Sequence, residues 1–372
     1  MKAGWERKTF GDVLDIKNGK NQKEVESDDG EYPIYGSAGN VMGYATSYIC
    51  EAGATIIGRK GNINSPIYTD TRFWNVDTAF GLAAKPCLNS RFLYYFCLSY
   101  DFSLLNRGTT IPSLVKTELL QIPIEFPPLP EQQRIVNILD EAFDGIATAK
   151  ANAEKNLQNA RALFESHLQS VFTERGAGWV KKTIKEITSH LGDGLHGTPK
   201  YADDGECFFV NGNNLNDGKI VYKESTKRVS VAEYNKYKKM LTDRTVLVSI
   251  NGTLGNVAFY NNEKIILGKS ACYFNLIDSV NKHFIKYIIS SPYFLDYAHR
   301  EATGATIKNV SLKSMREFVV PLPSLDEQNT IVRKLDALQE ETQRLESIYQ
   351  QKLAALDALK KSLLHQAFTG AL

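Results

Sequence analysis

The feature that most constrains the fold is a stretch that occurs twice in the chain. Residues 126–136 read FPPLPEQQRIV, and residues 322–332, 196 positions later, read LPSLDEQNTIV. In each copy a proline-rich segment precedes Glu-Gln and a series of regularly spaced apolar residues. Proline removes a donor from a strand ladder and suits the first turn of a helix. Each copy therefore predicts the end of a strand, a rigid turn and the start of a helix.

Two long helices are predicted after these junctions, because apolar residues recur there at every third or fourth position, close to a heptad repeat. The first series fills residues 131–173 and ends at ERGAG (174–178), whose glycines favour a helix stop; the second runs from Ile331 to Ala367 and includes Leu359. Each helix would be roughly 60 Å long. We expect the two to cover each other's apolar faces as an antiparallel coiled-coil pair. Pairing between two copies of the chain is the alternative.

The segments before each helix have the composition of β-rich globular modules. Short runs of β-branched and aromatic residues alternate with glycine and asparagine, which is typical of strands and hairpins. Residues 90–102 have continuous apolar residues without glycine or proline and predict a short helix, and one helix is also predicted at residues 281–300. The opening WERKTFGDV (5–13) also returns, as WVKKTIKEI (179–187).

The chain is therefore predicted to be an α+β tandem repeat. Globular modules at residues 1–126 and 179–323 alternate with spacer helices at 127–178 and 324–372. Antiparallel helices would relate the two halves by an approximate two-fold axis and bring Leu372 close to Met1.

Composition argues against several classes of protein. The net charge is +2, but residues 179–323 carry 20 lysines and arginines against 14 acidic residues, which favours a polyanionic partner there. The five cysteines have no zinc-site spacing and are expected to be free thiols. No signal peptide or membrane-length apolar run is found, so we expect a cytoplasmic protein without a membrane partner. Residues 267–270, LGKS, end like a phosphate-binding loop, but its first glycine is replaced by Glu263.

These features together resemble the specificity subunit of type I DNA restriction–modification systems. The resemblance rests on the doubled W-x-x-x-x-[FI]-x-x-[VI] motif, the doubled Glu-Gln-x-x-Ile-Val junction after proline, the two long helices, GDGLHGTPKY (192–201) and the G-[TA]-T-I loops. It covers essentially the whole chain, and the order and duplication of the motifs carry it.

The resemblance implies a non-catalytic subunit with two target-recognition domains, each reading one half of a bipartite site in double-stranded DNA. The helices would set the half-site spacing and dock two adenine methyltransferase subunits, which restriction subunits join. S-adenosylmethionine, ATP and Mg²⁺ are then expected only on those partner subunits. No catalytic or metal site is predicted in this chain. The alternative is an orphan or degenerate specificity subunit that acts as an interaction adaptor without directing modification.

The candidate DNA-contacting residues lie on polar loops, where donors and cations can reach bases and phosphates. Those of the first module are Arg59, Lys60, Asn62, Arg107, Thr109 and Thr110. Those of the second are Gly194, His196, Thr198, Lys200, Asn251, Thr253, Thr306, Lys308 and Lys313. Each could instead be a turn residue, a helix cap or a solvated cation.

Arg59 could contact either a guanine or a phosphate. Residues expected to build the spacer or bind a partner are Glu131, Gln132, Ile135, Leu139, Glu327, Gln328, Ile331 and Leu335.

Overall fold

The computed structural model describes residues 4–174, 176 and 178–372. In the first module the strands are β1 (Glu6–Thr9), β2 (Leu14–Asn18), β3 (Tyr32–Tyr35), β4 (Val41–Ala45), β5 (Ala54–Gly58), β6 (Ile67–Thr69), β7 (Trp74–Asn75), β8 (Ala79–Ala84) and β9 (Pro123–Phe126). Its helices are α1 (Phe10–Val13), α2 (Ser90–Ser99) and α3 (Lys116–Leu119), with a 3₁₀ turn at Phe102–Leu105. A long helix, α4 (Leu129–Thr173), follows.

The second module has a similar order with additional elements. Its strands are β10 (Val180–Thr183), β11 (Thr188–Asp193), β12 (Cys207–Val210), β13 (Leu215–Asn216), β14 (Lys219–Ile220), β15 (Arg228–Val229), β16 (Thr245–Ser249), β17 (Val257–Phe259), β18 (Ile265–Leu267), β19 (Ala271–Leu276) and β20 (Val319–Leu322). Its helices are α5 (Val231–Tyr237), α6 (Lys282–Ser290), α7 (Pro292–Glu301) and α8 (Leu312–Glu317), with 3₁₀ turns at Ile184–Ile187 and Gly212–Asn214. The second long helix is α9 (Leu325–Thr369).

Three sheets of the first module have counterparts in the second, which adds a two-stranded sheet, β13-β14. The main antiparallel sheet has the order β2-β8-β5-β6 in the first module and β11-β19-β16-β17 in the second. A three-stranded sheet follows the order β4-β3-β7 or β15-β12-β18, and its second pair is parallel in both modules. The strand that opens each module pairs with the strand that closes it, as β1-β9 and β10-β20. The predicted α+β tandem repeat is confirmed.

Both long helices form as predicted from the apolar periodicity, and each contributes to two compact units. The first unit comprises the chain up to Lys155 together with Tyr349–Leu372; the second comprises Asn156–Ile348. The domain boundaries and the two-fold relation inferred from the sequence stay predictions.

Within each unit the two helices run antiparallel. In the first unit, Arg134 Nη2 donates to the Leu372 carbonyl (2.9 Å), and Lys150 Nζ donates to Asp357 Oδ1 (2.5 Å). In the second, Arg161 Nε donates to Glu346 Oε1 (3.0 Å). Met1 lies outside the described residues, but Trp5 and Leu372 pack against the same core of the first unit.

Two details of the sequence prediction were wrong. Residues 281–300 form two helices rather than one, because Pro292 disfavours helical geometry at the buried Ser291, whose ψ is 155°. Leu359, which was placed on the apolar face of the second helix, is 47 % exposed.

A buried glutamine joins each module to its long helix. Gln132 Oε1 accepts from the Asn89 backbone N–H (2.7 Å), and its Nε2 donates to the carbonyls of Cys87 (3.1 Å) and Pro127 (2.8 Å). Asn89 in turn caps α2 through its own side chain. The glutamine of the duplicated motif therefore connects the module helix, the proline turn and the long helix.

Gln328 repeats these contacts in the second unit. Its Oε1 accepts from the Asn281 N–H (2.8 Å), and its Nε2 donates to the Ser279 and Pro323 carbonyls (3.2 and 2.9 Å). Both glutamines are fully buried, and the Oε1 and Nε2 atoms of each have hydrogen-bond partners.

A tyrosine–aspartate pair repeats as well. The Tyr95 hydroxyl donates to Asp140 on α4, and the Tyr287 hydroxyl donates to Asp336 on α9 (2.5 Å). Burial, reinforced by the neighbouring carboxylate, raises the pKa of both tyrosines, so they stay protonated donors. These contacts orient each module helix on its long helix.

Candidate nucleic-acid interface

In the first module, two of the predicted loops form one surface. The turn after the buried strand β5 is held to the loop before α3 by backbone hydrogen bonds: the Gly61 N–H donates to the Pro112 carbonyl (2.9 Å), and the Leu114 N–H donates to the Arg59 carbonyl (2.8 Å). Lys60 and Ser113 form a β-bridge between them. We call this pairing of residues 59–62 with residues 107–114 the first loop clamp.

The second module builds the same arrangement after β16. The Gly252 N–H donates to the Lys308 carbonyl (2.9 Å), the Val310 N–H donates to the Ile250 carbonyl (2.8 Å), and Asn251 bridges Asn309. Gly61 and Gly252 occupy the same place with φ of 83° and 77°, a conformation that favours glycine. We call residues 250–253 with residues 303–310 the second loop clamp.

The candidate side chains of the first clamp differ in how freely they could contact DNA. Lys60, Asn62, Thr109 and Thr110 are exposed. Arg59 is half-buried: its guanidinium lies 5.9 Å from the Phe80 ring centre, and its Nη1 donates to the Asp77 carbonyl (3.3 Å). The Arg59 guanidinium therefore already donates one hydrogen bond within the module, which leaves fewer of its N–H groups for a base or a phosphate.

Arg107 is paired inside the module. Its Nε and Nη2 donate to Glu118 Oε1 at 2.8 and 2.5 Å, and this contact lowers the pKa of Glu118. A phosphate at Arg107 would have to compete with that carboxylate. Of the three cationic candidates in the first clamp, Lys60 is consequently the best placed to contact a phosphate.

The second clamp presents mostly exposed candidates. Three of them are exposed, namely Thr253, Thr306 and Lys308. Lys313 lies outside the clamp, on α8, and is also exposed; its Nζ is 4.0 Å from Glu317 Oε1. Asn251 is half-buried, and its Nδ2 donates to Asn309 Oδ1 (3.1 Å). The Asn251 amide thus stabilises the clamp, while the threonines and Lys308 face solvent.

The loop that follows β11 lies beside the second clamp. Asp193, His196, Asn251 and Asn309 line one open pocket of about 500 Å³. His196 is exposed and its Nε2 lies 2.6 Å from Asp193 Oδ2; Thr198 and Lys200 are exposed as well.

Gly194, in the same loop, is buried. A Cβ on it would meet the Leu267 and Gly268 carbonyl oxygens at 2.3 Å. Its position indicates that it shapes the loop rather than faces a ligand.

Sequence reasoning missed the counterpart of this loop in the first module. Asn18 ends β2 and is followed by Gly19-Lys20, as Asp193 ends β11 and is followed by Gly194-Leu195. The N–H groups of Gly19 and Gly194 donate to the equivalent carbonyls of Ala79 and Ala271 (3.1 and 3.2 Å). Lys20 and Lys23 are exposed there. The available signal was a polar residue followed by glycine at the end of the second strand of each module.

The residues proposed for the spacer or for partner binding are mostly internal. Gln132, Ile135, Leu139, Gln328 and Leu335 have no exposed surface, and Ile331 packs against the core of the second unit. Their burial gives them a role in the packing of the spacer.

The two glutamates of the duplicated motif are half-buried. Glu131 accepts from Arg134, which lowers the pKa of Glu131. Glu327 accepts from Trp179 Nε1 (2.7 Å). Glu327 therefore connects the start of the second long helix to Trp179 of its module, whereas the contact of Glu131 lies within the first long helix.

Among the described residues, no group of three or more His, Cys, Asp or Glu side chains is placed to hold a metal ion. In that same part of the chain, no helix combines the length and the apolar character needed to cross a bilayer. The cysteines are free, and burial raises the pKa of Cys50 to about 12.

Comparison with known proteins identifies relatives over nearly the whole length. A family model described as the type I restriction modification DNA specificity domain matches residues 2–158 and 177–354. The type I restriction enzyme EcoBI specificity subunit of Escherichia coli is 22 % identical over 350 residues, covering 85 % of this chain and 73 % of that protein.

Two solved structures share the fold. The HsdS subunit from Thermoanaerobacter tengcongensis matches with a TM-score of 0.63 at 20 % identity, covering 100 % of this chain and 98 % of that one. A chain from a study of complex assembly and conformational transition of the type I R-M system matches with a TM-score of 0.80 at 19 % identity, covering 100 % and 99 %.

Proposed function

Because the chain belongs to the family of type I restriction–modification DNA specificity subunits, we propose that each of its modules reads one half of a bipartite site in double-stranded DNA. The observation that carries this proposal is the presence of a loop clamp in both modules. Polar and cationic loop residues held on a rigid sheet suit contacts to base edges and phosphates. The clamps have the same backbone but different side chains, which fits two half-sites of different sequence.

The long helices set the distance between the half-sites in this proposal. Each has 45 residues and extends through parts of both units, which corresponds to roughly 67 Å of helix. Half-sites of paired DNA readers are separated by about 34–36 Å or multiples of it, so helices of this length are sufficient. The number of unread base pairs should follow helix length and not the chemistry of the loops.

Exposed leucines support docking of two methyltransferase subunits on the helices. Leu129 and Leu325 are 46 % and 41 % exposed, and Leu163 and Leu359 are 66 % and 47 % exposed. Both pairs lie at the 196-residue offset, so each helix presents the same two apolar positions. Apolar side chains at equivalent exposed positions suit two copies of one partner.

The remaining chemistry is assigned to the partners. The chain itself is non-catalytic, S-adenosylmethionine is bound by the methyltransferase subunits, and ATP and Mg²⁺ are used once restriction subunits join. We place the complex in the cytoplasm, where the free, mostly buried cysteines suit a reducing compartment.

The host methylome, with and without the gene, tests the proposal. We expect one bipartite methyladenine motif to disappear on deletion. Replacement of residues 179–321 by the corresponding segment of another family member should then change only one half of that motif. A methylome unchanged by deletion would support the alternative, an orphan or degenerate subunit that acts as an adaptor.

A further inference from the structure

Each loop clamp exposes one isoleucine at its tip. Ile111, in the sequence GTTI, is 60 % exposed, and Ile307, in GATI, is 59 % exposed. The two residues occupy equivalent positions at the 196-residue offset. A single exposed apolar side chain is ordinary, but one repeated at the same position in two otherwise different modules needs a shared explanation.

The backbone of the tip is built around that isoleucine. A Cβ on Gly108 would meet the Ile111 carbonyl oxygen at 1.7 Å, and one on Gly304 would meet the Ile307 carbonyl oxygen at 2.3 Å. In both modules the carbonyl of the isoleucine therefore lies against a glycine that no other residue can replace without movement. This fold-back fixes the isoleucine backbone and leaves the side chain in solvent.

The base of each tip is closed by hydrogen bonds. The Arg107 N–H donates to the Ser113 carbonyl (3.0 Å), while Thr303 and Asn309 exchange two backbone hydrogen bonds of 2.9 Å. A β-branched side chain also has few χ1 states. Ile111 and Ile307 are thus rigid projections that lose little conformational entropy when a ligand covers them.

Cations flank these projections. Lys308 follows Ile307 directly, and Lys60 is bridged to Ser113 close to Ile111. A DNA duplex matches this combination, because it offers phosphates outside and apolar base faces within its stack. Proteins that deform DNA insert isoleucine, leucine or phenylalanine between base steps.

We propose that Ile111 and Ile307 are DNA wedges, each inserting against a base step at its own half-site and partly unstacking it. The inference rests on the proposed function and adds a way of acting on the duplex. The clamp sequences around the wedges differ, as in RKGN (59–62) and INGT (250–253), yet the isoleucine is the same in both modules. The wedge should therefore deform the duplex whichever bases the neighbouring side chains read.

The test uses the complex purified from its host through a tag on the full chain, with Ile111→Ala and Ile307→Ala variants. The probe is a duplex carrying the motif found by methylome analysis, with 2-aminopurine at each half-site position in turn except the methylated adenine. Controls are Leu104→Ala and Met240→Ala, which remove apolar side chains that are 75 % and 85 % exposed outside the tips.

We expect the wild-type complex to raise 2-aminopurine emission at one step in each half-site. Ile111→Ala should remove the signal in one half-site and Ile307→Ala in the other, each weakening binding by about tenfold, while the controls match the wild type. Variants that bind and unstack DNA like the wild type would overturn the wedge and leave the proposed function intact. Variants that lose co-purified subunits would overturn it too, by assigning the isoleucines to a protein contact. A wild-type complex without preference for the motif would overturn the proposed function itself.

Discussion

The buried glutamine of each junction makes a quantitative prediction about stability. Replacing Gln328 by methionine keeps a side chain of similar volume, so the cost of a cavity is small. It removes the acceptor of the Asn281 N–H and the donor of the Ser279 and Pro323 carbonyls. A buried donor or acceptor left without a partner costs about 1–3 kcal/mol, and the three groups share one site. We expect the free energy of unfolding of the second unit to fall by about 3–5 kcal/mol.

The assay is urea unfolding of the full chain followed by circular dichroism, with hydrogen exchange to locate the loss. In Gln328→Met, amides of α6 should exchange faster while those of α2 keep their protection; Gln132→Met should show the reverse. Gln343→Met, at an exposed position of the same helix, serves as the matched control and should change stability by less than about 0.5 kcal/mol.

A loss below about 1 kcal/mol in Gln328→Met would refute the reasoning, because it would mean that these three backbone groups find other partners at no cost. Equal exchange in α2 and α6 would also refute it, since the contacts of each glutamine lie within one unit.

Three further predictions concern Lys60, two glycines and Tyr287. Lys60→Ala should weaken DNA binding across all sequences and reduce the slope of log K against log salt by about 0.9, measured by binding titrations from low to moderate salt; Lys155→Ala on α4, away from the loop clamp, should leave the slope unchanged. Gly145 lies at a helical position where a Cβ meets nothing within 4 Å, so Gly145→Ala should stabilise the chain by about 0.5–1 kcal/mol. Gly61 has a φ of 83°, so Gly61→Ala should destabilise the chain by about 1–2 kcal/mol. A melting temperature that falls in Gly145→Ala or rises in Gly61→Ala would contradict the corresponding prediction. Tyr287→Phe removes the hydrogen bond to Asp336 and should cost about 1.5–3 kcal/mol in urea unfolding, while Tyr201→Phe, at an exposed site, should be nearly neutral.

The long helices and the doubled junction could be predicted from the sequence because their signals are local and repeated. Apolar spacing from Ile135 to Leu168 continues over many turns, so tertiary contacts reinforce the helical preference instead of opposing it. The break at Ser291-Pro292 also has a signal in the sequence, because a proline disfavours helical geometry at the residue before it. Leu359 has the right spacing for the buried face, and its exposure depends on where the partner helix lies, which the sequence of one helix does not determine.

The loop clamps could be predicted only in part. The loops themselves stand out by composition. The backbone hydrogen bonds that pair Gly61 with Pro112 and Gly252 with Lys308 do not depend on side chains, so the sequence does not indicate them. The internal salt bridge of Arg107 is equally invisible, because it depends on Glu118 in the following helix. Gly194 belongs to the GDGLHGTPKY motif, and only three-dimensional packing shows that the carbonyls of Leu267 and Gly268 cover it.

The antiparallel return of the second helix has a consequence for the order of biosynthesis. The first unit includes Leu364, Ala367 and Phe368 in its core, and its bond from Arg134 to Leu372 spans 238 residues of sequence. At a translation rate of about 5–20 residues per second, Leu372 is added roughly 12–48 s after Arg134. The first module therefore leaves the ribosome before residues 364–372, which complete its core, have been synthesised. During that interval the rings of Phe92 and Phe96 on α2 lack the contact with Phe368 that they make in the folded chain.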